Sequence, residues 1–209
     1  MKILFENTDV LIVDKPALWL SVPGRDPKDE RPILGRKLEE QLGVQIFPIH
    51  RLDAEVSGLI LYGKTPQFHR EANVLFENKL IKKTYQALTQ KGAFPPPEGE
   101  RLWESKILRG KKRTYEATFG KLAITKANFV RDHKGIWEWR LNPVTGRPHQ
   151  LRFELTKLGC PILGDVLYGA TEPWTPGIAL RAVQMELPED FAQKWKVEKL
   201  IEATPLSLP

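Results

Sequence analysis

The chain has 209 residues, 41% of them hydrophobic, and carries 32 Lys and Arg against 26 Asp and Glu, a net charge of +6. That composition is ordinary for a globular protein long enough to bury a sizeable core, and it excludes disorder. The lone cysteine, Cys160, rules out an internal disulfide and a thiolate metal site, and no apolar run approaches the ~20 residues of a membrane span or follows a signal-peptide pattern, so a cytoplasmic location is expected.

Taken in chain order, Ile3–Phe5 and Val10–Val13 read as strands around an Asn7-Thr8-Asp9 turn, with Pro16 stopping the second. Ile33–Leu42 places Ile33, Leu34, Leu38 and Leu42 on one helical face, and Gly43 is suited to cap its end. Leu59–Lys64 is strand-like. Thr65-Pro66 then opens a helix carrying Phe68, Ala72, Leu75 and Phe76. Lys82–Thr89 reads as a strand with one polar face, and 94–99 as an irregular Pro-rich loop. Further strands are expected at Leu102–Leu108, Ala123–Val130, Trp137–Leu141 and Ile178–Leu187. A helix is expected from Pro148 through Leu158, closed by Gly159, and a short one after Pro188. Strands and helices interleave without the regular alternation of a parallel sheet. The pattern predicts an α+β fold, with a mixed, mainly antiparallel sheet core and flanking helices, in a single domain over 1–209.

Several chemistries are disfavoured by what is missing. The chain has no phosphate-binding P-loop, no dinucleotide fingerprint and no serine nucleophile elbow, and its four histidines lack close metal-ligand spacing. No cofactor and no metal are expected. Asp53, just ahead of Ser57-Gly58 and an apolar strand, is a candidate nucleophile or general base, and equally a turn carboxylate paired with Arg51 on the surface. A reactive carboxylate has to be ionised and held by a cation; Arg51 and the distant Arg152 are the two candidates. Thr145-Gly146-Arg147 reads as a turn into a helix start, where Arg147, His149, Gln150 and Arg152 gather. Lys82-Lys83 and Lys111-Lys112-Arg113 are basic runs of the sign a phosphate backbone favours, although such runs are commonly just solvated.

Together these segments resemble one family. His50-Arg51-Leu52-Asp53-x-x-x-Ser57-Gly58-Leu59 is similar to the active-site motif of RluA-type RNA pseudouridine synthases. Ile12-Val13-Asp14-Lys15-Pro16, Lys82-Lys83-Thr84-Tyr85-x-Ala87 and Thr145-Gly146-Arg147-x-His149-Gln150-Leu151-Arg152 resemble three further blocks of that family in the same order. So does Leu158-Gly159-x-Pro161-Ile162-x-Gly164-Asp165-x-x-Tyr168-Gly169. The resemblance implies the pseudouridine synthase catalytic fold with a central cleft, and isomerisation of uridine to pseudouridine in ribosomal or transfer RNA. The glycosidic bond breaks, the base rotates and a carbon–carbon bond forms. It implies Asp53 as the catalytic aspartate, which attacks the ribose or assists glycal formation, Tyr85 as the residue stacked on the target base, and Arg152 as the basic partner of the aspartate. His50, Arg51, Lys82, Lys83, Arg147, His149 and Gln150 are the expected RNA contacts. The target base has to leave its stack, at a cost of a few kcal/mol.

Three positions depart from the family pattern: Val56 where Thr is frequent, Glu154 where His is usual, and Trp19 where a small residue is common. The motifs begin close to Met1, which leads to the expectation that no S4-like RNA-binding domain precedes them. A monomer is expected. The competing expectations are an RNA-binding protein of the same fold that has lost catalysis, and an unrelated hydrolase using Asp53.

Overall fold

A computed structural model describes residues 1–24, 28–93, 95–96 and 98–208. Phe94 and Pro97 of the expected Pro-rich loop lie outside the described residues. The elements begin with β1 (Lys2–Glu6), β2 (Val10–Lys15), α1 (Leu34–Leu42), β3 (Phe47–Pro48), β4 (Ser57–Gly63) and α2 (Pro66–Glu77). They continue with β5 (Lys82–Gln90), β6 (Glu100–Arg109), β7 (Thr114–Glu116), β8 (Lys121–His133), β9 (Ile136–Pro143) and α3 (Gln150–Lys157). A 3-10 turn (Val166–Tyr168), β10 (Leu180–Glu186), α4 (Glu189–Lys194) and β11 (Leu200–Glu202) follow. This is the α+β, sheet-dominated architecture the residue pattern predicts. The chain divides into two compact units, Met1–Lys82 with Ala182–Ala203, and Lys83–Arg181 with the residues from Thr204 onward.

In the first unit β2 and β4 pair antiparallel from Val10↔Gly63 to Lys15↔Gly58. Their Val-Leu-Ile-Val and Leu-Ile-Leu-Tyr runs are buried along their length, as suits strands covered on both faces. Leu34 and Leu38 of α1 join Leu11, Val13, Ile60 and Tyr62 in the core, where each fully buried aliphatic side chain contributes about 1.5–3 kcal/mol. Gly43, in the left-handed region at φ 68°, ends α1 with its N–H on the Glu39 carbonyl. The Thr65 hydroxyl accepts the Phe68 N–H at the start of α2. Gly58 has φ 111°, and a Cβ there would stand 2.2 Å from the Ala182 carbonyl oxygen, so only glycine lets the strand beginning beside Asp53 lie this close to its neighbour.

In the second unit the strand order is β5-β9-β8-β6-β7, and each of these pairings is antiparallel. β5 does not present the polar face expected of it, because Thr84–Thr89 is buried on both sides. Its polar groups are satisfied internally. Thr84 Oγ1 accepts from the Asn142 amide at 2.8 Å, Gln86 donates to Glu138 at 2.8 Å, and Thr89 Oγ1 accepts from the Trp139 indole at 3.1 Å. α3 begins at Gln150, two residues later than expected, because His149 adopts a left-handed conformation at φ 53° and marks the boundary. The helix packs on β6 and β7.

Candidate active site

Asp53 lies half-buried in the turn ahead of β4, and the backbone on either side of it is fixed from the first unit. Ser21 Oγ accepts the Leu52 N–H and donates to the Leu52 carbonyl, both at 3.0 Å. The Ala54 carbonyl accepts from the Leu18 N–H at 2.7 Å and from Lys15 Nζ at 3.1 Å, and the Val56 N–H closes the turn on the Asp53 carbonyl. Lys15 is fully buried and also donates to the Pro16 and Trp19 carbonyls at 3.0 and 2.8 Å. Burial pulls its pKa down to about 8, against the opposing pull of the Glu55 and Asp53 carboxylates. An ammonium has three N–H bonds and no acceptor, and these three carbonyls match it. Sequence reasoning gave Lys15 no role. The Lys-Pro pair in its own motif block was the available signal.

Arg152 stands in the second unit at 2% exposure and forms a side-on pair with the equally buried Asp165, Nε to Oδ2 at 2.7 Å and Nη2 to Oδ1 at 2.8 Å. Its guanidinium lies 5.2 Å from the centre of the Tyr168 ring. The Tyr168 phenol oxygen accepts the Thr114 N–H at 2.7 Å and stands 3.2 Å from His149 Nδ1. Burial raises the Tyr168 pKa, which keeps the phenol neutral, while its bonds to Thr114 pull the other way. Asp165 and Tyr168 were missed as site residues. Their signal was the Gly164-Asp165-x-x-Tyr168-Gly169 block, which carries an acid three residues ahead of an aromatic.

The other expected residues divide by environment. Tyr85 lies on β5 opposite Leu141, 7% exposed, and belongs to the second unit. Arg51 is exposed, and exposed Lys82 pairs with Glu186 at 3.2 Å. Lys83 is half-exposed, and burial lowers its pKa. Arg147 spends its Nε on the Leu122 carbonyl at 3.0 Å. Gln150 was placed among the RNA contacts, yet it is 4% exposed and engaged at both ends. Its amide nitrogen donates to the Ile124 carbonyl and Thr125, and its oxygen accepts from Thr145 and the Arg147 N–H. It fixes the 145–150 turn. His50 also turns inward, accepting the Leu61 N–H at 3.0 Å and stacking on Phe76 at 4.8 Å. Val56 is core, and Trp19 packs against the first unit's core. Glu154 is 4% exposed, and burial raises its pKa while Ser105 bonds it.

A family model described as RNA pseudouridylate synthase matches residues 9–157. The chain belongs to the RluA-type pseudouridine synthases. The dual-specificity RNA pseudouridine synthase RluA of Yersinia pestis is 34% identical over 182 residues, 82% of this chain and 84% of that protein. The ribosomal large subunit pseudouridine synthase C of Rickettsia typhi is 32% identical over 200 residues, 92% of this chain and 65% of its own. The solved structure of human RNA pseudouridylate synthase domain containing 1 agrees in fold, with a TM-score of 0.76 over 98% of this chain and 82% of its own at 20% identity. Among the described residues of this synthase, no group of three His, Cys, Asp or Glu could hold a metal ion, and no helix is long and apolar enough to cross a membrane.

Proposed function

We propose that this synthase converts specific uridines of ribosomal or transfer RNA to pseudouridine as a single catalytic domain, acting as a monomer without cofactor or metal. Asp53 is its nucleophile on a flipped-out nucleotide. In this reading the Asp53 carboxylate bonds to the ribose as the base nitrogen leaves it, the base rotates, its C5 bonds to the ribose and displaces the carboxylate, and the C5 proton is lost while the freed ring nitrogen gains one. Tyr85 and Arg152 take the roles that the family resemblance implies, with Tyr85 against the target base. The observation that carries the proposal is the Asp53 turn, where bonds from Ser21, Leu18, Lys15 and Val56 fix the backbone around a half-exposed carboxylate. A side chain held this way enters the reaction already oriented, which is the main saving a positioned nucleophile offers. Ribosomal RNA as a substrate class is supported by the name of the Rickettsia typhi relative.

The test is Asp53→Ala, assayed on RNA from a strain lacking the gene. Pseudouridine formation is expected to fall by at least three orders of magnitude, with RNA affinity kept within about threefold. Undiminished yield would remove Asp53 from the chemistry, and free uracil in the wild-type reaction would replace isomerisation with hydrolysis. Mapping pseudouridines in ribosomal and transfer RNA with and without the gene identifies the target; a map unchanged by the gene overturns the substrate class.

A further inference from the structure

Residues 106–121 carry six Lys and Arg against one carboxylate, a net +5 of the chain's +6. They form the hairpin of β6 and β7 and the turn that follows it. Lys111, Lys112 and Arg113 occupy its tip, all exposed, and among the described residues none of them has a carboxylate within 4 Å. The tip is shaped from within: the Gly110 N–H donates to the Arg113 carbonyl at 2.9 Å, and Arg109 Nη1 donates to the Lys112 carbonyl. Beside the cations are two accessible rings, Tyr115 and Phe119, the latter 79% exposed. Cations interleaved with exposed aromatic rings suit a single-stranded nucleic acid, whose phosphates meet the charges and whose bases stack.

The residue next to these cations is not exposed. Thr114, 2% exposed, ties the hairpin to the Arg152 cluster. Its N–H donates to the Tyr168 phenol oxygen at 2.7 Å, and its hydroxyl donates to the Pro148 carbonyl, one residue from His149, at 2.7 Å. The same Tyr168 presents its ring to the Arg152 guanidinium. One phenol therefore contacts both the root of the basic hairpin and the buried arginine.

We propose that the β6–β7 hairpin grips the RNA strand and that Thr114 and Tyr168, as positioning residues, transmit that grip to the orientation of Arg152. The inference rests on the function proposed above. Substrate binding and the setting of the arginine are then one event: RNA held at the tip immobilises Thr114, Thr114 fixes the phenol, and the ring holds one face of the guanidinium that Asp165 grips side-on.

A double-mutant cycle tests this on a transcript bearing the mapped uridine, with wild-type turnover in the same assay establishing the underlying reading first. No wild-type product would mean that the reading fails; wild-type product with an additive cycle would mean that only this inference fails. Replacing Lys111, Lys112 and Arg113 together by Gln is expected to weaken RNA binding and to lower the salt-dependence slope by about 2, at roughly 0.7 per phosphate contact. It is also expected to slow single-turnover formation at saturating RNA by about tenfold. Tyr168→Phe should slow that step by a similar factor with RNA affinity within twofold of wild type. The combined variant should be no slower at saturation than the slower of the two, because both changes cut the same link. Rates that multiply, or a Gln-tip variant with wild-type rate at saturation, would overturn the proposal. The link from Thr114 to the phenol is a backbone N–H, so the guard against misfolding is the Phe variant's own melting temperature together with Thr114→Val, which keeps that N–H and removes only the hydroxyl bond holding the hairpin root at Pro148. With unchanged melting temperatures Tyr168→Phe should lose the rate at saturation and Thr114→Val should lose less of it. A Thr114→Val variant slower than Tyr168→Phe would mean that the Pro148 anchor and not the phenol carries the grip, and would overturn the proposal.

Discussion

The Asp53 turn and the Arg152 cluster hold their charged groups by opposite means. Around Asp53 the bonds fall on the turn's backbone: Leu52, Ala54 and the Asp53 carbonyl are all engaged, by the Ser21 and Lys15 side chains and by the Leu18 and Val56 N–H groups. The carboxylate stands half-exposed on that turn. Around Arg152 the bonds are made by side chains: a buried carboxylate takes two guanidinium nitrogens and a buried ring lies over the group. In the first arrangement the bonds that shape the turn are made to its backbone and do not use the Asp53 carboxylate. The second builds the side chain into the packing, so the cation and its neighbours stand or fall together.

The largest effect that could break this contrast is on stability. Asp165→Ala removes the carboxylate that takes two nitrogens of the buried Arg152 guanidinium, and removing one partner of such a pair costs about 3–5 kcal/mol. For a chain of this length that lowers the melting temperature by about 10 °C. Asp53→Ala should lower it by less than about 3 °C while abolishing activity. Calorimetry on the two variants decides the matter: equal shifts would show that Asp53 is as structural as Asp165.

A smaller effect is expected from Lys15→Met, which keeps length and apolar volume but leaves the Pro16, Trp19 and Ala54 carbonyls without their donor. With partial relaxation the cost is about 2–3 kcal/mol. Because those bonds hold the Asp53 turn, kcat should fall by at least tenfold with KM little changed. A loss confined to KM would place Lys15 in RNA binding and remove it from the support of Asp53.

How much of this was legible in the sequence follows the range of the forces involved. α2 was readable because Thr65-Pro66 and the spacing of Phe68 and Ala72 are local, and β2 and β4 because four consecutive apolar residues have few other fates. β3, β7 and β11 span two or three residues and show no period. In the candidate site, motif order is what put Asp53, Tyr85 and Arg152 forward. It did not reveal that Gln150 and His50 turn inward, because a polar side chain satisfied by Ile124 or Leu61 looks the same in sequence as one facing RNA. The three bonds of Lys15 were hidden for a related reason, since Ala54 is 39 residues away and no local pattern records it.

The smallest effect separates the two sides of α3. Arg152 and Glu154 are two residues apart on this helix and point in different directions; the arginine has a carboxylate, whereas among the described residues Glu154 Oε1 has no hydrogen-bond partner. Burial raises the Glu154 pKa in the folded state, with the bond to Ser105 opposing it, so between the ordinary glutamate pKa and the raised one the folded chain binds more protons than the unfolded chain. Stability linked to Glu154 is therefore complete at or below the ordinary pKa and declines as pH rises through the folded value. Glu154→Met removes the titrating group and keeps the volume. Relative to wild type its melting temperature should be nearly equal near pH 4.5 and higher by a few degrees at pH 8. A difference that stays constant over that range would mean that Glu154 ionises in the folded protein without penalty, and that α3 carries a solvated charge where the geometry puts a buried acid.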